Sequence, residues 1–329
     1  MKNKVKAFAP ATVANLGPGF DIIGAALEGI GDEVIVRPLS DPEIRLVSVK
    51  GDNNRLPHNA KENILGYVGH LFLNHPKIQG HGSPPGLEFE LHKKMPIESG
   101  LGSSAASIIA ALYALNELMN NPLGPIELLH LAFNAEKRAE NTSVGHCDNI
   151  AASLLGGIVI AKQLDPLDVM KIPLHPSLDL HFCLIHPELS IKTGESRAQL
   201  AQQISMDKVV KQTISIANLV LSLVDGDREG ISRGLLDNII TPQRKAHIPH
   251  YAALAREQRF LPGFNKKGFG MGLGISGSGP SLFILCDGIS ESCEVQEKCL
   301  EILREEHLQA NFYISKLNTK GPKIMEVEE

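Results

Sequence analysis

Apolar residues along the chain follow two patterns, and each pattern predicts a different element. Short runs rich in Val, Ile and Phe are typical of strands, whereas apolar residues spaced three and four apart predict helices. The predicted strands are Val5–Phe8, Glu33–Arg37, Ile44–Val49, Leu87–Leu91, Gly157–Ala161, Leu180–Ile185, Ser281–Cys286 and Phe312–Lys316. The predicted helices are Asn63–Phe72, Ser104–Met119, Pro125–Glu140, Glu195–Ile204, Asp207–Val224, Ile248–Phe260 and Cys293–Glu306.

The order of these elements predicts the fold class and the number of domains. Strands and helices mix without the regular alternation of doubly wound proteins, which indicates an α+β fold. A chain of 329 residues exceeds what one core ordinarily serves, so two domains are expected. A Pro-rich segment over residues 165–176 separates a Gly-rich first half from a helix-rich second half. It places the domains at 1–170 and 171–329.

The charge of the chain bears on its partners. A net charge of −5 and the absence of long basic tracts argue against a nucleic-acid-binding surface. The paired basic residues are Lys93-Lys94, Arg244-Lys245 and Lys266-Lys267. Each pair is expected on a solvated surface, because basic tracts that bind polyanions run longer.

Apolar runs and cysteines bear on the compartment. No apolar run approaches the ~18 residues of a membrane span, so no membrane partner is expected. Five cysteines without a CxxC pair indicate neither a disulfide framework nor a zinc site. No secretory signal follows Met1, and a cytoplasmic location fits these observations.

A Gly-Ser segment over residues 96–106 gives the clearest chemical signal. It reads Pro-Ile-Glu-Ser-Gly-Leu-Gly-Ser-Ser-Ala-Ala and joins the predicted strand Leu87–Leu91 to the predicted helix Ser104–Met119. Glycines let successive N–H groups point into one concavity, and a helix N-terminus adds unpaired donors and the positive end of its dipole. The segment therefore predicts a site for a di- or triphosphate. Ser103 and Ser104 would offer hydroxyls to a phosphate or to Mg²⁺.

Other interpretations of the Gly-rich segments are weaker. The simpler alternative for the Gly-Ser turn is that Ser103 or Ser104 only caps the helix. A Walker A loop is excluded because the sequence contains no Gly-Lys dipeptide. Residues 272–277 match the Rossmann G-x-G-x-x-G pattern, but a strand and not a helix is predicted to follow. Residues 230–234 match G-x-S-x-G but follow a helical segment, so no nucleophile elbow is expected.

Three segments together resemble the GHMP small-molecule kinases, which include galactokinase and the homoserine and mevalonate kinases. The segments are residues 9–21 (Ala-Pro-Ala-Thr-Val-Ala-Asn-Leu-Gly-Pro-Gly-Phe-Asp), the Gly-Ser turn, and residues 272–281 (Gly-Leu-Gly-Ile-Ser-Gly-Ser-Gly-Pro-Ser). Their order and spacing extend over nearly the whole chain. The first segment resembles the homoserine kinases, because Thr12 stands in a stretch where sugar and mevalonate kinases carry a Lys or Arg. So does His146-Cys147-Asp148-Asn149, where mevalonate-type members place a catalytic Asp at the position of Asn149.

This resemblance implies a fold and a reaction. The fold would combine an N-terminal domain like the second domain of ribosomal protein S5 with a C-terminal ferredoxin-like domain, and substrate would bind in the cleft between them. The reaction would use ATP and Mg²⁺ to phosphorylate the side-chain hydroxyl of L-homoserine to O-phospho-L-homoserine, in threonine biosynthesis. The residues expected to bind ATP are Pro96, Ser99, Gly100, Leu101, Gly102, Ser103, Ser104, Ala105 and Ala106.

The acceptor site has requirements that specific residues can meet. An amino-acid alcohol needs a carboxylate for its ammonium group and an arginine for its carboxylate. Asp21 fits the first role, and Arg197 or Arg244 fits the second through a bidentate fork. The family register favours Asp21 and Arg197 for these roles, whereas for Arg244 it leaves a surface role about as well supported.

The acceptor hydroxyl needs polar neighbours. Asn15 and Asn149 fit this role and are the catalytic candidates, and His146 is expected to line the pocket. Because Asn149 replaces an Asp and an amide cannot accept a proton at neutral pH, we expect catalysis without a carboxylate base. Asp148 and Asp21 are the carboxylates that could contradict this expectation.

The metal site is expected to include a carboxylate, because Mg²⁺ bridging the phosphates prefers oxygen ligands. The resemblance places a Glu at the end of the helix after the Gly-Ser turn. Glu136 aligns with it, and Ser104 would be a second ligand. The stretch from Glu136 to His146 is somewhat longer than the family pattern, which makes Glu140 an alternative ligand.

Two other functions stay open at this point. The first is another GHMP kinase acting on a sugar or a mevalonate-type alcohol, against which the missing Lys/Arg and the Asn at 149 count. The second is a non-catalytic GHMP relative that binds a ligand as a sensor, against which the Gly-Ser turn and the acidic ligand count. A homodimer is possible but not specified by the sequence.

Overall fold

The computed structural model describes residues 2–79, 86–139, 145–189, 193–264 and 268–329. Its strands are β1 (Lys4–Ala14), β2 (Ile23–Leu39), β3 (Ile44–Lys50), β4 (Gly86–His92), β5 (Ile158–Leu164), β6 (Leu167–Lys171), β7 (Leu180–Pro187), β8 (Gly272–Ile275), β9 (Leu282–Asp287), β10 (Ala310–Lys316) and β11 (Lys323–Glu328). Its α-helices are α1 (Ile64–Leu73), α2 (Pro76–Gln79), α3 (Ser103–Leu118), α4 (Pro125–Ala139), α5 (Asp148–Leu155), α6 (Thr193–Ala198), α7 (Met206–Asp225), α8 (Arg228–Gly234), α9 (Thr241–Arg244), α10 (Pro249–Leu254) and α11 (Ile289–Glu305).

The first sheet runs in the order β11-β1-β2-β4-β3, and β5 and β6 extend it from β2. Strands β1, β2 and β4 pair antiparallel, whereas β3 joins β4 in parallel. Helices α1, α3, α4 and α5 pack together and α3 lies across β1 and β2. Burial of one sheet face beneath these helices is the ordinary solution for a sheet with one apolar side.

Helix α3 is the centre of this first layer because its sequence is rich in alanine. Its aliphatic residues from Ala105 to Leu115 are essentially inaccessible to solvent. Small side chains bring the helix backbone close to the strands, while Ile108 and Ile109 fill the apolar core. The helix begins after Gly102, which has φ 68° and gives no side-chain cap. The interpretation of Ser103 or Ser104 as a simple N-cap is therefore wrong.

The second sheet is antiparallel, with the order β10-β7-β9-β8. Strand β7 has a partner strand on each side and is buried along its whole length, because apolar clusters cover both of its faces. An apolar cluster containing Val13, Phe182, Leu219 and Phe283 joins β1 of the first sheet to the second sheet and to α7. The two layers therefore share a core, which fixes the position of the loops between them.

The chain end returns to the first sheet. Strand β11 pairs with β1, with Lys4 opposite Glu328 and Val5 opposite Val327. The domain boundary at residue 170 stays a prediction. Strand β11 lies in the predicted second domain by its position in the sequence, but it belongs to the same sheet as the N-terminal strand β1.

Several elements differ from the sequence prediction. Strand β2 is much longer than the predicted Glu33–Arg37. Strand β6 lies inside the Pro-rich segment over 165–176. The predicted helix over 248–260 is divided into α10 and a 3₁₀ turn, Gln258–Phe260. Both pattern matches rejected from sequence were rejected correctly, because residues 230–234 lie in α8 and residues 272–277 form β8 and a turn.

Candidate active site

One cavity of about 950 Å³ brings most of the predicted site residues together. This volume lies in the range usual for small-molecule sites. The predicted residues that line it are Asn15, Asp21, Ser99, Gly100, Gly102, Ser103, Ser104, Glu136, His146, Asn149, Arg197 and Arg244. The other four predicted nucleotide-binding residues do not line the cavity; they are Pro96, Leu101, Ala105 and Ala106. The last three are buried in the core and shape the turn from behind.

The Gly-Ser turn takes a conformation that glycine permits. Gly100 has φ 81° and Gly102 has φ 68°, which lie in the left-handed region. A Cβ at Gly100 would lie 2.5 Å from the carbonyl oxygen of Ser276. The Ser276 hydroxyl donates to the Gly100 carbonyl at 2.7 Å, and the Ser281 N–H donates to the Ser99 carbonyl at 3.1 Å. The segment over 272–281 thus supports the turn directly.

Lys93 is a further residue at this end of the cavity, and the sequence prediction placed it wrongly. It was expected on a solvated surface, but its side chain is 3% exposed and pairs with the carboxylate of Asp32. Its Nζ also donates to the Ser103 carbonyl at 2.9 Å and to the Ser107 hydroxyl at 3.0 Å. Lys93 therefore holds the first turn of α3 in place. Arg244, from a second pair expected on the surface, is also buried.

The two candidate metal ligands lie side by side. The Ser104 Oγ donates to the Glu136 Oε2 at 3.3 Å, and Glu136 is almost fully buried at the cavity wall. Among the described residues, no group of three His, Cys, Asp or Glu side chains could hold a metal by itself. One carboxylate and one hydroxyl suit a cation such as Mg²⁺, which takes most of its ligands from phosphates and water. The alternative ligand, Glu140, lies outside the described residues.

Asn15 connects three segments at the other end of the cavity. It is buried and has φ 68°. Its backbone N–H donates to the Asp148 Oδ2 at 3.2 Å, and its Oδ1 accepts from the Asp21 N–H at 3.1 Å. Its Nδ2 donates to the Gly277 carbonyl at 3.1 Å. These bonds hold an asparagine in a left-handed conformation that costs energy by itself.

Asp148 is buried beneath these loops, with both carboxylate oxygens accepting backbone hydrogen bonds. Oδ1 accepts from the Asn149 N–H at 2.9 Å, and Oδ2 accepts from Asn15. The pKa of Asp148 is raised to about 6, chiefly by burial; the neighbouring His146 opposes this shift, and the charge of Asp21 adds to it. The Nδ1 of His146 is 3.9 Å from the Asp148 Oδ1. The sequence did not reveal this arrangement, because the bond from Asn15 to Asp148 joins residues 133 positions apart.

Asn149 lies in direct contact with the Gly-Ser turn. The Thr12 hydroxyl donates to the Asn149 Oδ1 at 2.6 Å and orients the amide. A Cβ at Gly102 would lie 2.0 Å from the Thr12 Oγ1 and 2.9 Å from the Asn149 Oδ1. Gly102 is therefore required both for its backbone conformation and for this close approach. The contact places the start of α3 beside the predicted catalytic amide.

Asp21 and Arg197 form a bidentate pair with each other. The Arg197 Nη1 and Nη2 donate to the Asp21 Oδ2 and Oδ1 at 2.9 and 2.7 Å. The Phe20 ring lies 5.0 Å from the Arg197 guanidinium and 5.5 Å from that of Arg244, within cation–π range. The sequence predicted these two groups as separate contacts to a substrate, and the pairing shows that they are already complementary.

Arg244 is a buried cation at the same end of the cavity. It is 6% exposed, and its Nη1 donates to the Gly277 carbonyl at 2.7 Å. Its Nε has no hydrogen-bond partner among the described residues. The pKa of Arg244 is lowered to about 10, chiefly by burial and in smaller part by the neighbouring charge of Arg197. A buried guanidinium with a free donor has the properties needed to bind a carboxylate.

The sequence of the chain can be compared with those of known families. A family model described as the GHMP kinases N terminal domain matches residues 67–157, from within α1 past the end of α5. The homoserine kinase of Chlorobium phaeobacteroides is 33% identical over 335 residues, covering 98% of this chain and 99% of that protein. The Arabidopsis thaliana homoserine kinase is 34% identical over 328 residues, covering 98% of this chain and 84% of that protein. The chain belongs to the homoserine kinase family.

Membership in the homoserine kinase family extends to three-dimensional structure. The crystal structure of homoserine kinase from Cytophaga hutchinsonii matches with a TM-score of 0.89 and 35% identity, over 99% of this chain and 98% of that one. The L. major mevalonate kinase matches with a TM-score of 0.69 at 15% identity, which shows a shared fold. These matches confirm the α+β GHMP kinase fold predicted from the motifs.

The helices of the structure bear on the membrane prediction. Within the described part of the chain, no helix combines the length and apolar character needed to cross a lipid bilayer.

Proposed function

We propose that this chain transfers the γ-phosphoryl group of ATP to the side-chain hydroxyl of L-homoserine, giving ADP and O-phospho-L-homoserine. One observation carries the proposal: Gly102 of the phosphate turn contacts Thr12 and Asn149 of the acceptor end. A phosphate held by the turn would lie next to an alcohol held by the asparagine. Membership in the homoserine kinase family supports the choice of alcohol.

The nucleotide would bind at the start of α3. The backbone N–H groups after Gly102 and the glycine-rich turn offer donors and a positive potential to the phosphates. Ser104 and Glu136 would hold Mg²⁺, which neutralises charge on the phosphates when bound. Lys93 keeps the first turn of α3 fixed through the Ser103 carbonyl, so these donors need no rearrangement when phosphate arrives.

Homoserine would bind at the Asp21–Arg197 end. Arg197 and Arg244, which line the cavity, would bind its carboxylate, and Asp21 would bind its ammonium group. The amino acid would exchange the existing Asp21–Arg197 bonds for bonds to itself, and both charges would remain paired. Recognition of both charged groups would disfavour a sugar or mevalonate, which lack the ammonium group.

Catalysis would rest on positioning and charge neutralisation. Asn15 and Asn149 would hold the acceptor hydroxyl, and the proton would leave to a γ-phosphate oxygen or to water. Phosphoryl transfer has a loose transition state, so a strong base at the hydroxyl is not required. Asp148 would act as a positioning residue, because both of its oxygens accept backbone N–H bonds.

The direct experiment measures ADP release with Mg-ATP against a panel of acceptors. The panel contains homoserine, mevalonate, galactose, shikimate and buffer alone. We expect turnover with homoserine, and phosphorus NMR of the product should show a phosphate ester on the side-chain oxygen. Turnover of galactose or mevalonate with homoserine ignored would contradict the substrate. Ligand binding without any turnover would support the sensor alternative. A cytoplasmic location stays part of the proposal.

A further inference from the structure

Asp237 is a buried carboxylate behind the acceptor end of the cavity. It is 8% exposed, lies between α8 and α9, and is not among the described residues that line the cavity. Its Oδ1 accepts from the N–H groups of Ile239 and Ile240, each at 3.0 Å, and its Oδ2 accepts from the Thr241 N–H. Hydrogen bonds to a carboxylate are stronger than those between neutral groups. Asp237 therefore fixes the backbone that leads into α9.

Helix α9 depends on such support because it has only four residues. So short a helix cannot offset the cost of forming its first turn. Its N-cap residue, Ile240, makes no side-chain capping bond. Asp237 instead accepts the Ile240 N–H, and the Ile240 carbonyl accepts the Arg244 N–H at 3.0 Å. These two hydrogen bonds connect the Asp237 carboxylate to Arg244, which lines the cavity.

Gln212 of α7 connects the same segment to the loop that carries Asp21. It is 7% exposed, and both ends of its amide are bonded. Its Nε2 donates to the Asp237 Oδ1 at 2.9 Å and to the Pro18 carbonyl at 2.7 Å. Its Oε1 accepts from the Asn238 N–H at 2.8 Å. One buried amide thus joins the two segments that carry opposite charges to the acceptor end.

The two segments also touch each other directly. Gly17 has φ 79°, and a Cβ there would lie 2.5 Å from the Leu235 carbonyl oxygen. The Phe20 ring lies 5.5 Å from the Arg244 guanidinium, within cation–π range. A shift of either segment would therefore move Arg244 relative to Asp21.

We propose that Asp237 is a positioning residue: it holds α9 so that the Arg244 guanidinium meets the carboxylate of the substrate. Gln212 keeps this segment in place relative to Asp21. The inference rests on the proposed function, because the carboxylate in question is that of homoserine. Binding of a carboxylate by a guanidinium fork depends on the direction of its donors as well as on charge. The Arg244 Nη1 already donates to the Gly277 carbonyl at 2.7 Å, so the backbone position of Arg244 decides where its remaining donors point.

Asp237 also acts on Arg244 through its charge. The pKa of Arg244 is lowered to about 10, chiefly by burial, and nearby carboxylates that include Asp237 oppose this lowering. A buried cation is costly without such charges. Loss of the Asp237 charge should therefore weaken the acceptor end in addition to loosening α9.

The first test is steady-state kinetics of Asp237→Asn with Mg-ATP and homoserine. The amide keeps the size of the side chain but places an NH₂ group against a backbone N–H that needs an acceptor. We expect the homoserine KM to rise about 10-fold, because the lost bonds are to a charged group, while the ATP KM stays within about twofold. The matched control is Asp227→Asn, at an exposed aspartate just before α8, which should leave both KM values unchanged. Thermal unfolding checks that both variants fold.

Gln212→Met tests the same network from the other side. Methionine keeps the length and flexibility of glutamine without its strong donors and acceptor. The change removes the bonds to Asp237, Pro18 and Asn238 and leaves the carboxylate in place. The homoserine KM should again rise, by about 3- to 10-fold, with the ATP KM within about twofold. This variant decides the question if Asp237→Asn does not fold.

The last test asks whether Asp237 acts through Arg244. In an Arg244→Met background, Asp237→Asn should lower kcat/KM for homoserine by less than about twofold further, because residues that act through one contact are not additive. A purely structural role would give the full effect in both backgrounds. Equal rises in both KM values, kinetics that match the Asp227→Asn control, or the full effect in the Arg244→Met background would overturn the inference. Failure of the unaltered chain to phosphorylate homoserine would instead contradict the proposed function.

Discussion

The two ends of the cavity are built from different kinds of groups. The end proposed to bind phosphate, here called the phosphate end, consists of backbone around Gly100 and Gly102, with the hydroxyls of Ser103 and Ser104. The acceptor end consists of charged and amide side chains that bond to one another, above all the bidentate pair of Asp21 with Arg197. The first end offers donors fixed by the chain itself, whereas the second offers partners that a substrate must replace.

This difference indicates how each end achieves selectivity. A backbone concavity recognises phosphates in any molecule that carries them, because its donors do not depend on side-chain choice. Paired side chains select a ligand that satisfies both charges at once, since a ligand with only one charge leaves one member of the partly exposed pair without a partner. The phosphate end should therefore tolerate changes of side chain that do not alter the backbone, and the acceptor end should not.

The largest effect is expected where the two ends touch. Gly102→Ala would place a methyl group 2.0 Å from the Thr12 Oγ1 and force the turn and Asn149 apart. Turnover should fall by about 10²-fold or more, because a shift near 1 Å at the reacting groups costs that much. The matched control is Gly124→Ala, whose methyl group would meet only the Glu127 Oε2, at 3.7 Å. Steady-state ADP release measures both, and equal rates would show that the contact has no role.

The second effect concerns the pH dependence of stability. The pKa of Asp148 is raised from 3.8 to about 6 in the folded chain. The folded state binds the Asp148 proton more tightly than the unfolded state does, so protonation of Asp148 stabilises the fold. This stabilisation is complete below about pH 3.8 and is lost as the pH rises through about 6. The difference between the folded and unfolded pKa values of Asp148 corresponds to about 3 kcal/mol of unfolding free energy.

Chemical denaturation at several pH values tests this effect. Because asparagine does not titrate, the stability of the protein relative to Asp148→Asn should fall by roughly 3 kcal/mol between about pH 4 and pH 7. Asp165→Asn, at an exposed position, is the control and should show no such trend. If the difference in unfolding free energy between the protein and Asp148→Asn did not change with pH, it would contradict the raised pKa of Asp148.

The phosphate end could be predicted from sequence because its signals are local. Glycines at fixed positions before an alanine-rich helix determine the turn, and residues 96–106 contain all of them. The position of Lys93 could not be predicted, because its burial depends on Asp32, which strand β2 brings alongside from 61 positions away. Strand β11 was missed for a similar reason. Its exposed, charge-rich sequence becomes a strand only beside β1.

The residues of the acceptor end were predicted through the family resemblance, but their bonding was not. Asp21 and Arg197 are 176 positions apart, and no local pattern shows that they pair. The bond from the Asn15 N–H to the Asp148 Oδ2 likewise joins residues 133 positions apart and depends on how two loops meet. The sequence could thus identify candidate groups but not which of them already bond to one another.

The third effect sharpens the contrast at the acceptor end. Arg197→Lys keeps the charge but loses the planar pair of donors, so the homoserine KM should rise by roughly 10- to 100-fold. The ATP KM should stay within about twofold, because the phosphate end does not use this side chain. Arg233→Lys, on an exposed surface of α8, is the control. Equal increases in both KM values would show that Arg197 supports the whole cavity and not the acceptor alone.

The smallest effect is expected from a side chain at the phosphate end. Glu98 has φ 56° and its carboxylate pairs with Arg55 from the loop before α1. Glu98→Gly removes the partly exposed ion pair but relieves the left-handed strain, so stability should change by less than about 1 kcal/mol. Glu98→Ala loses the pair without that relief and should be about 1 kcal/mol less stable than Glu98→Gly. Thermal unfolding and the ATP KM measure both, and a large rise in KM for Glu98→Gly would contradict a backbone-built phosphate end.

The central claim is that the acceptor end works by positioning and needs no carboxylate base. The most direct measurement is kcat across pH, at saturating ATP and homoserine, for Asp21→Asn and Asp148→Asn. We expect Asp21→Asn to act mainly on the homoserine KM, and both variants to lose less than the ~10²–10⁴-fold typical of a missing base. The acidic limb of the profile should remain in each. A fall of about a thousandfold or more in kcat for either variant, with loss of that limb, would identify a general base and contradict the claim.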